Sequence, residues 1–176
     1  MAKAVPLRQR LQREHLEAVD QFTALAAAVS APQWPAEPVP GKWSPAHVTD
    51  HVVLAYEALL REIREGTPMR VRTTWWQRIF LRSFWLPRIL RTGRIPAGVR
   101  APRELRPEGE PREQAESIAR LRDAALRVDR ELERLGRSVR VTHPYFGTLR
   151  GLDVLRFCAI HTSHHAKQLA PSTDDG

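Results

Sequence analysis

The chain has 176 residues, of which 42% are hydrophobic and 27% charged, and its formal net charge is +8. That size and balance suit one globular domain with a real core, and no apolar run approaches the roughly 20 residues of a membrane-spanning helix. The N-terminal stretch MAKAVPLRQRLQREHLEAV lacks a secretory h-region, and the single cysteine, Cys158, excludes an internal disulfide framework. A reducing cytoplasm is therefore the expected compartment. All but Lys3, Lys42 and Lys167 of the 28 basic residues are arginine. Abundant Ala, Pro and Leu make compositional bias the first reading of that surplus. Acids accompany arginine through most of the chain, except over residues 70–106, where ten arginines face only Glu104.

In chain order, Leu7, Leu11, Val19, Phe22, Leu25 and Val29 recur at helical spacing and predict a first helix that ends before the Pro-rich loop 32–40. A second helix opens at Trp43-Ser44-Pro45, where Ser44 suits the N-cap and Pro45 the first turn. Val48, Val52, Ala55, Leu59 and Ile63 mark its buried face, and Gly66-Thr67-Pro68 stops it.

Residues 73–93 then place Trp75, Trp76, Ile79, Phe80, Phe84 and Trp85 at helical spacing, with Arg78, Arg82, Arg88 and Arg91 between them. A membrane-surface helix or a nucleic-acid contact would use such a composition. Apolar stripes more often pack, so a lid over the bundle or a homodimer contact is expected, and nucleic acid is not an expected partner. Pro87 should kink or end this segment. Residues 94–111, with four prolines, read as an extended connector.

The next helix is predicted over about 110–135, started by Pro111, stopped by Gly136 and lined by Ile118, Leu121, Ala125, Val128, Leu132 and Leu135. Residues 138–142 form the only short β-like run. The last helix is expected from about Thr148 to Leu169, followed by a frayed tail at 171–176. Four long amphipathic helices in one domain, 1–170, indicate an all-α four-helix bundle with a helical insertion between the second and third.

Five of the seven histidines fall on two helices: His47 and His51 on the second, and His161, His164 and His165 on the fourth. Residues i and i+4 share a helix face, so their imidazoles can converge on one ion. His161 and His165 continue the apolar stripe of Val154 and Cys158, His164 lies to one side, and His51 lies beside Val48, Val52 and Ala55. Buried imidazoles without partners are costly, and a shared divalent transition metal removes that cost. Taken singly, each has a plain structural reading, since a core histidine is commonly satisfied by a carbonyl or a tyrosine. Spacing leaves open a four-histidine site including His47, or three histidines with Cys158. His15 reads as a surface or bundle-edge residue and His143 as a turn residue before Pro144.

Two stretches resemble the DinB-like family of bacterial proteins. Trp43-Ser44-Pro45-Ala46-His47-Val48-Thr49-Asp50-His51 is similar to its WSxxxxxxH helix start, and His161-Thr162-Ser163-His164-His165-Ala166-Lys167-Gln168 to its HxxxHxxQ ending. His143-Pro144-Tyr145-Phe146-Gly147 resembles a turn of one branch. The resemblance implies an up-down-down-up bundle in which His51, His161 and His165 are the metal ligands and His47 is not, with zinc or nickel as the ion. Relatives of this kind include transferases and an isomerase that use bacillithiol, mycothiol or glutathione, so a metal-dependent S-transferase acting on a small-molecule thiol and an electrophile is implied. A metal-dependent hydrolase, or a non-enzymatic stress-response scaffold, would use the same ligands. Gln168 reads as a helix-end hydrogen bonder or a support for a ligand, and Asp50, about 100° around the helix from His51, receives no role at the site.

Overall fold

Helix α1 (Leu7–Ala28) buries Leu11, Ala18, Val19, Phe22 and Ala26 along one face, as its periodicity requires. Helix α2 (Pro45–Glu65) starts where Ser44 Oγ accepts the His47 N–H at 3.2 Å and ends at Gly66, whose φ of 68° is the left-handed conformation glycine adopts without strain. Helix α5 (Gln114–Leu135) and helix α6 (Gly151–Ala166) complete the long elements. The computed structural model describes residues 5–170 apart from 71, 97 and 99, so the expected frayed tail lies outside the described residues.

The structure is mostly helical. Helix α1 packs along α6 and α5, and α2 packs along α5, while α2 and α6 touch over only a short length. Buried polar links fix this arrangement. Asp50 on α2 accepts Arg112 Nη1 at 3.2 Å and Ser117 Oγ at 3.1 Å, which joins α2 to the start of α5. Gln114 Nε2 reaches across to the last carbonyls of α1, at 2.6 Å from Ala26 O and 2.8 Å from Val29 O. That satisfies helix-end acceptors that otherwise lack partners.

His15 is fully buried, and not at a surface or bundle edge as its isolated place in the sequence suggested. Its Nε2 lies 2.8 Å from Tyr56 Oη, which is 2.9 Å from Thr162 Oγ1. This chain ties α1, α2 and α6 together. Burial drives the Tyr56 phenol well above its ordinary pKa, so it stays a neutral hydroxyl.

Two strands qualify the all-helical expectation. Strand β1 (Arg140–His143) pairs antiparallel with β2 (Gly147–Arg150), with Val141 opposite Leu149. Val139, Val141 and Leu149 are buried while Arg140, Thr148 and Arg150 are exposed, a period of two that a helix cannot satisfy. Helix α6 accordingly begins at Gly151 and not near Thr148. The Glu62 carboxylate accepts the Thr142 N–H at 2.8 and 2.9 Å, holding the hairpin against α2. Helix α5 likewise starts at Gln114, later than Pro111 suggested.

The insertion forms helix α3 (Trp75–Phe80), a π turn (Leu81–Trp85) and helix α4 (Leu86–Thr92). Pro87 does not end it. The wider π turn immediately before Pro87 absorbs the break in the α-helical ladder. Its inner side, with Leu86 and Ile89 buried, packs on the domain as a lid would, but its outer aromatic side is open to solvent. Among the described residues, the connector beyond it contains one short 3₁₀ turn, Arg103–Leu105.

Tyr56→Phe removes the central hydroxyl of the buried chain and leaves groups on both sides unpaired. It should cost about 1–3 kcal/mol in urea unfolding. An unchanged midpoint would mean the chain contributes nothing to joining the helices.

Candidate metal centre

His51, one turn and a half into α2, faces His161 and His165 on α6 across the gap where those helices diverge. Ring centroids stand 5.3 Å apart for His51 and His161, 4.7 Å for His51 and His165, and 4.6 Å for His161 and His165. One nitrogen from each ring lies within 4.8 Å of the other two, so the three histidines form a group that could hold a metal ion. Tetrahedral coordination with Zn–N bonds of about 2.1 Å spaces ligand nitrogens about 3.4 Å apart. Closing from the observed spacing asks each ring to move by less than about 1 Å, within the reach of small χ rotations.

The surroundings select the ring tautomers. The Nδ1 of His51 donates to Leu105 O at 2.7 Å, and that of His165 to Gln168 Oε1 at 2.9 Å. A neutral ring with its proton on Nδ1 carries its lone pair on Nε2, and this is how supporting groups prepare histidine for a metal. Trp43 packs on His51 with ring centroids 4.9 Å apart. Burial lowers the pKa of all three rings; the neighbouring imidazoles add to the effect at His161 and His165, and His164 adds to it at His51. His161 falls well below its ordinary value, and His165 to about 3. The cluster is therefore uncharged at neutral pH, as ligation requires.

The remaining candidates stand apart. His47 Nδ1 is 3.0 Å from Ser44 Oγ at the helix cap and does not join the group. His164 is half-buried beside His165, at a ring separation of 5.1 Å. Cys158 lies one turn before His161 but outside the group, and burial pushes its thiol up to about 12, so it is inert as a nucleophile at neutral pH. Asp50 faces α5, away from the histidines, as its position on the helix indicated.

The centre opens onto a cleft of about 1430 Å³ between α2, α6, the hairpin and the insertion. Most of the lining is apolar, including Leu59, Leu81, Ile89 and Phe157, with Lys42, Arg100 and Arg106 among its charged members. His143 also lines it, a role its place before Pro144 did not disclose. The hairpin turn folds back so that His143 Nδ1 accepts the Tyr145 N–H at 3.2 Å and the Phe146 N–H at 3.4 Å. The proton therefore sits on Nε2, which makes His143 a neutral donor. Its ring is stacked on Phe146, and burial takes its pKa to about 3. The Leu105 carbonyl had no sequence signal at all, since any residue supplies one.

Long packed helices with three converging neutral imidazoles beside an open cleft define a class of helical proteins able to hold a divalent metal. The chain belongs to the DinB superfamily, whose family profile matches residues 14–169. No curated protein and no solved structure matches it.

Low folded pKa values make the metal-free protein acid-sensitive. His143 and His165 take up protons near pH 6.5 when unfolded but near 3 when folded, so stability is full above about 6.5 and is lost as pH falls towards 3. Each contributes up to about 1.4 kcal/mol per pH unit across that window. His143→Asn, which keeps an acceptor for the turn, should lose less stability than wild type between neutral pH and the acid limb in urea titrations. Parallel losses would contradict the assignment.

Proposed function

We propose that His51, His161 and His165 are the ligands of a divalent transition metal, zinc or nickel, and that the protein is a metal-dependent S-transferase. The observation that carries this reading is the three-imidazole cluster at the wall of the cleft, with two of its rings oriented by hydrogen bonds to Leu105 and Gln168. Three protein ligands leave coordination positions for a substrate, the arrangement that catalysis uses and a closed structural site lacks. A bound metal of this kind lowers the pKa of a thiol so that thiolate is present at neutral pH.

The chain's own groups account for the rest. The cleft exceeds the usual volume of a small-molecule site, room enough for a thiol of the bacillithiol, mycothiol or glutathione type beside an organic electrophile. Lys42, Arg100 and Arg106 supply cations for the carboxylates such thiols carry, and the apolar walls exclude water from the electrophile. His143 presents its Nε2–H as a hydrogen-bond donor to charge developing on the leaving group. Cys158 stays protonated and does not compete as nucleophile. The helix order fits an up-down-down-up bundle, and a cytoplasmic setting, where these thiols are abundant, completes the reading.

Thermal shift tests the assignment. Zinc or nickel and one thiol of the panel should together raise the melting temperature by several degrees beyond the metal alone, as a ligand well above its dissociation constant does. His161→Ala should abolish both increments. Stabilisation by metal with no response to any thiol would sink the transferase and leave a hydrolase or a metal-holding scaffold.

A further inference from the structure

The outer face of the insertion is apolar where a surface helix is normally polar. Trp75, Trp76, Ile79, Phe80 and Phe84 are all more than half exposed, at 68%, 58%, 56%, 52% and 66%. Phe80 and Phe84, four residues apart, lie side by side with ring centroids 5.1 Å apart. At about 150–250 Å² per aromatic side chain, the face exposes on the order of 500 Å², in the upper part of the roughly 300–600 Å² of the largest apolar patch on a typical monomer, a patch that is often functional. The opposite side holds the segment down, with Leu86 and Ile89 buried and Arg82 Nη1 donating to Thr148 O at 2.5 Å. The outward aromatics are thus fixed in place by the fold.

Charge says what covers them. Residues 70–106 carry ten arginines and one acid, Glu104, which Arg72 already holds at 2.7 Å. Arg88, Arg91 and Arg94 follow the aromatic face and, among the described residues, have no carboxylate within ion-pair distance. A second copy of this face would bring the same arginines and no spare acid, which disfavours self-pairing. Tryptophan and phenylalanine flanked by unpaired arginine match the boundary of a bilayer, where rings enter the headgroup layer and guanidiniums meet lipid phosphate.

We infer that the outer face of residues 75–94 docks the protein on an anionic lipid surface. No helix of the described residues is long and apolar enough to cross a membrane, so the contact is peripheral. Leu81, Trp85 and Ile89 of the same segment line the cleft, so the segment that docks also forms part of the cleft wall. This inference stands apart from the metal site and survives its loss.

The test is co-sedimentation of the full chain with phosphatidylcholine vesicles, with and without phosphatidylglycerol, at low and high salt, alongside sedimentation equilibrium without lipid. Binding should require phosphatidylglycerol, weaken with salt and shift tryptophan emission to the blue. Arg88→Gln/Arg91→Gln should weaken it about thirtyfold, and Trp76→Ser/Phe84→Ser should abolish it while circular dichroism and metal content stay unchanged. Failure to bind anionic vesicles at low salt would overturn the proposal. So would a dimer that Trp76→Ser/Phe84→Ser dissolves, which would assign the face to a second copy, or salt-sensitive retention of duplex DNA with no lipid binding.

Discussion

Helices α2 and α6 run close enough to share three imidazoles but do not pack along their length, and the cleft occupies the space this leaves. What holds them at that spacing is the hydrogen bond from Tyr56 to Thr162, continued to His15 on α1. Thr162 adjoins His161 in sequence, and Tyr56 lies little more than one helical turn beyond His51. The polar chain therefore fixes the separation of the imidazoles directly. A purely apolar contact at this point would hold the helices together with less control of distance, because such packing tolerates sliding and rotation.

The site also draws on elements outside the long helices. The connector gives the Leu105 carbonyl to His51, and the turn after α6 gives the Gln168 amide to His165. The hairpin, fastened to α2 through Glu62, brings His143 to the cleft wall. Each contribution selects a tautomer or an orientation, and none adds a charge near the imidazoles. Burial keeps the rings deprotonated and preserves their lone pairs for a cation.

Much of the long-helix framework was legible because it depends on local rules. The Ser44-Pro45 start, the Gly66 stop and the apolar faces of α1, α2 and α5 follow from capping and periodicity. The grouping of His51, His161 and His165 followed in part from the i, i+4 rule, but only the family resemblance set His47 and Cys158 aside. The first strand showed as the β-like run 138–142, but its partner Gly147–Arg150 was read as the start of the last helix, because four residues carry too few positions to show their period clearly. His15 was misread because it stands among the charged Arg13, Glu14 and Glu17, whereas its buried partner is Tyr56, 41 residues away. Pro87 was expected to kink or end the segment; the helical ladder is indeed disturbed just before it, but as a π turn that lets the helix continue, which nothing in the sequence announces.

X-ray absorption spectroscopy of the zinc-loaded protein, prepared without a histidine tag, addresses the three-imidazole centre most directly. Three imidazole nitrogens at about 2.0–2.1 Å plus an exchangeable oxygen ligand are expected, with loss of stoichiometric metal in His161→Ala. A sulfur scatterer at about 2.3 Å, which would implicate Cys158, or metal retained unchanged in the variant, would contradict it.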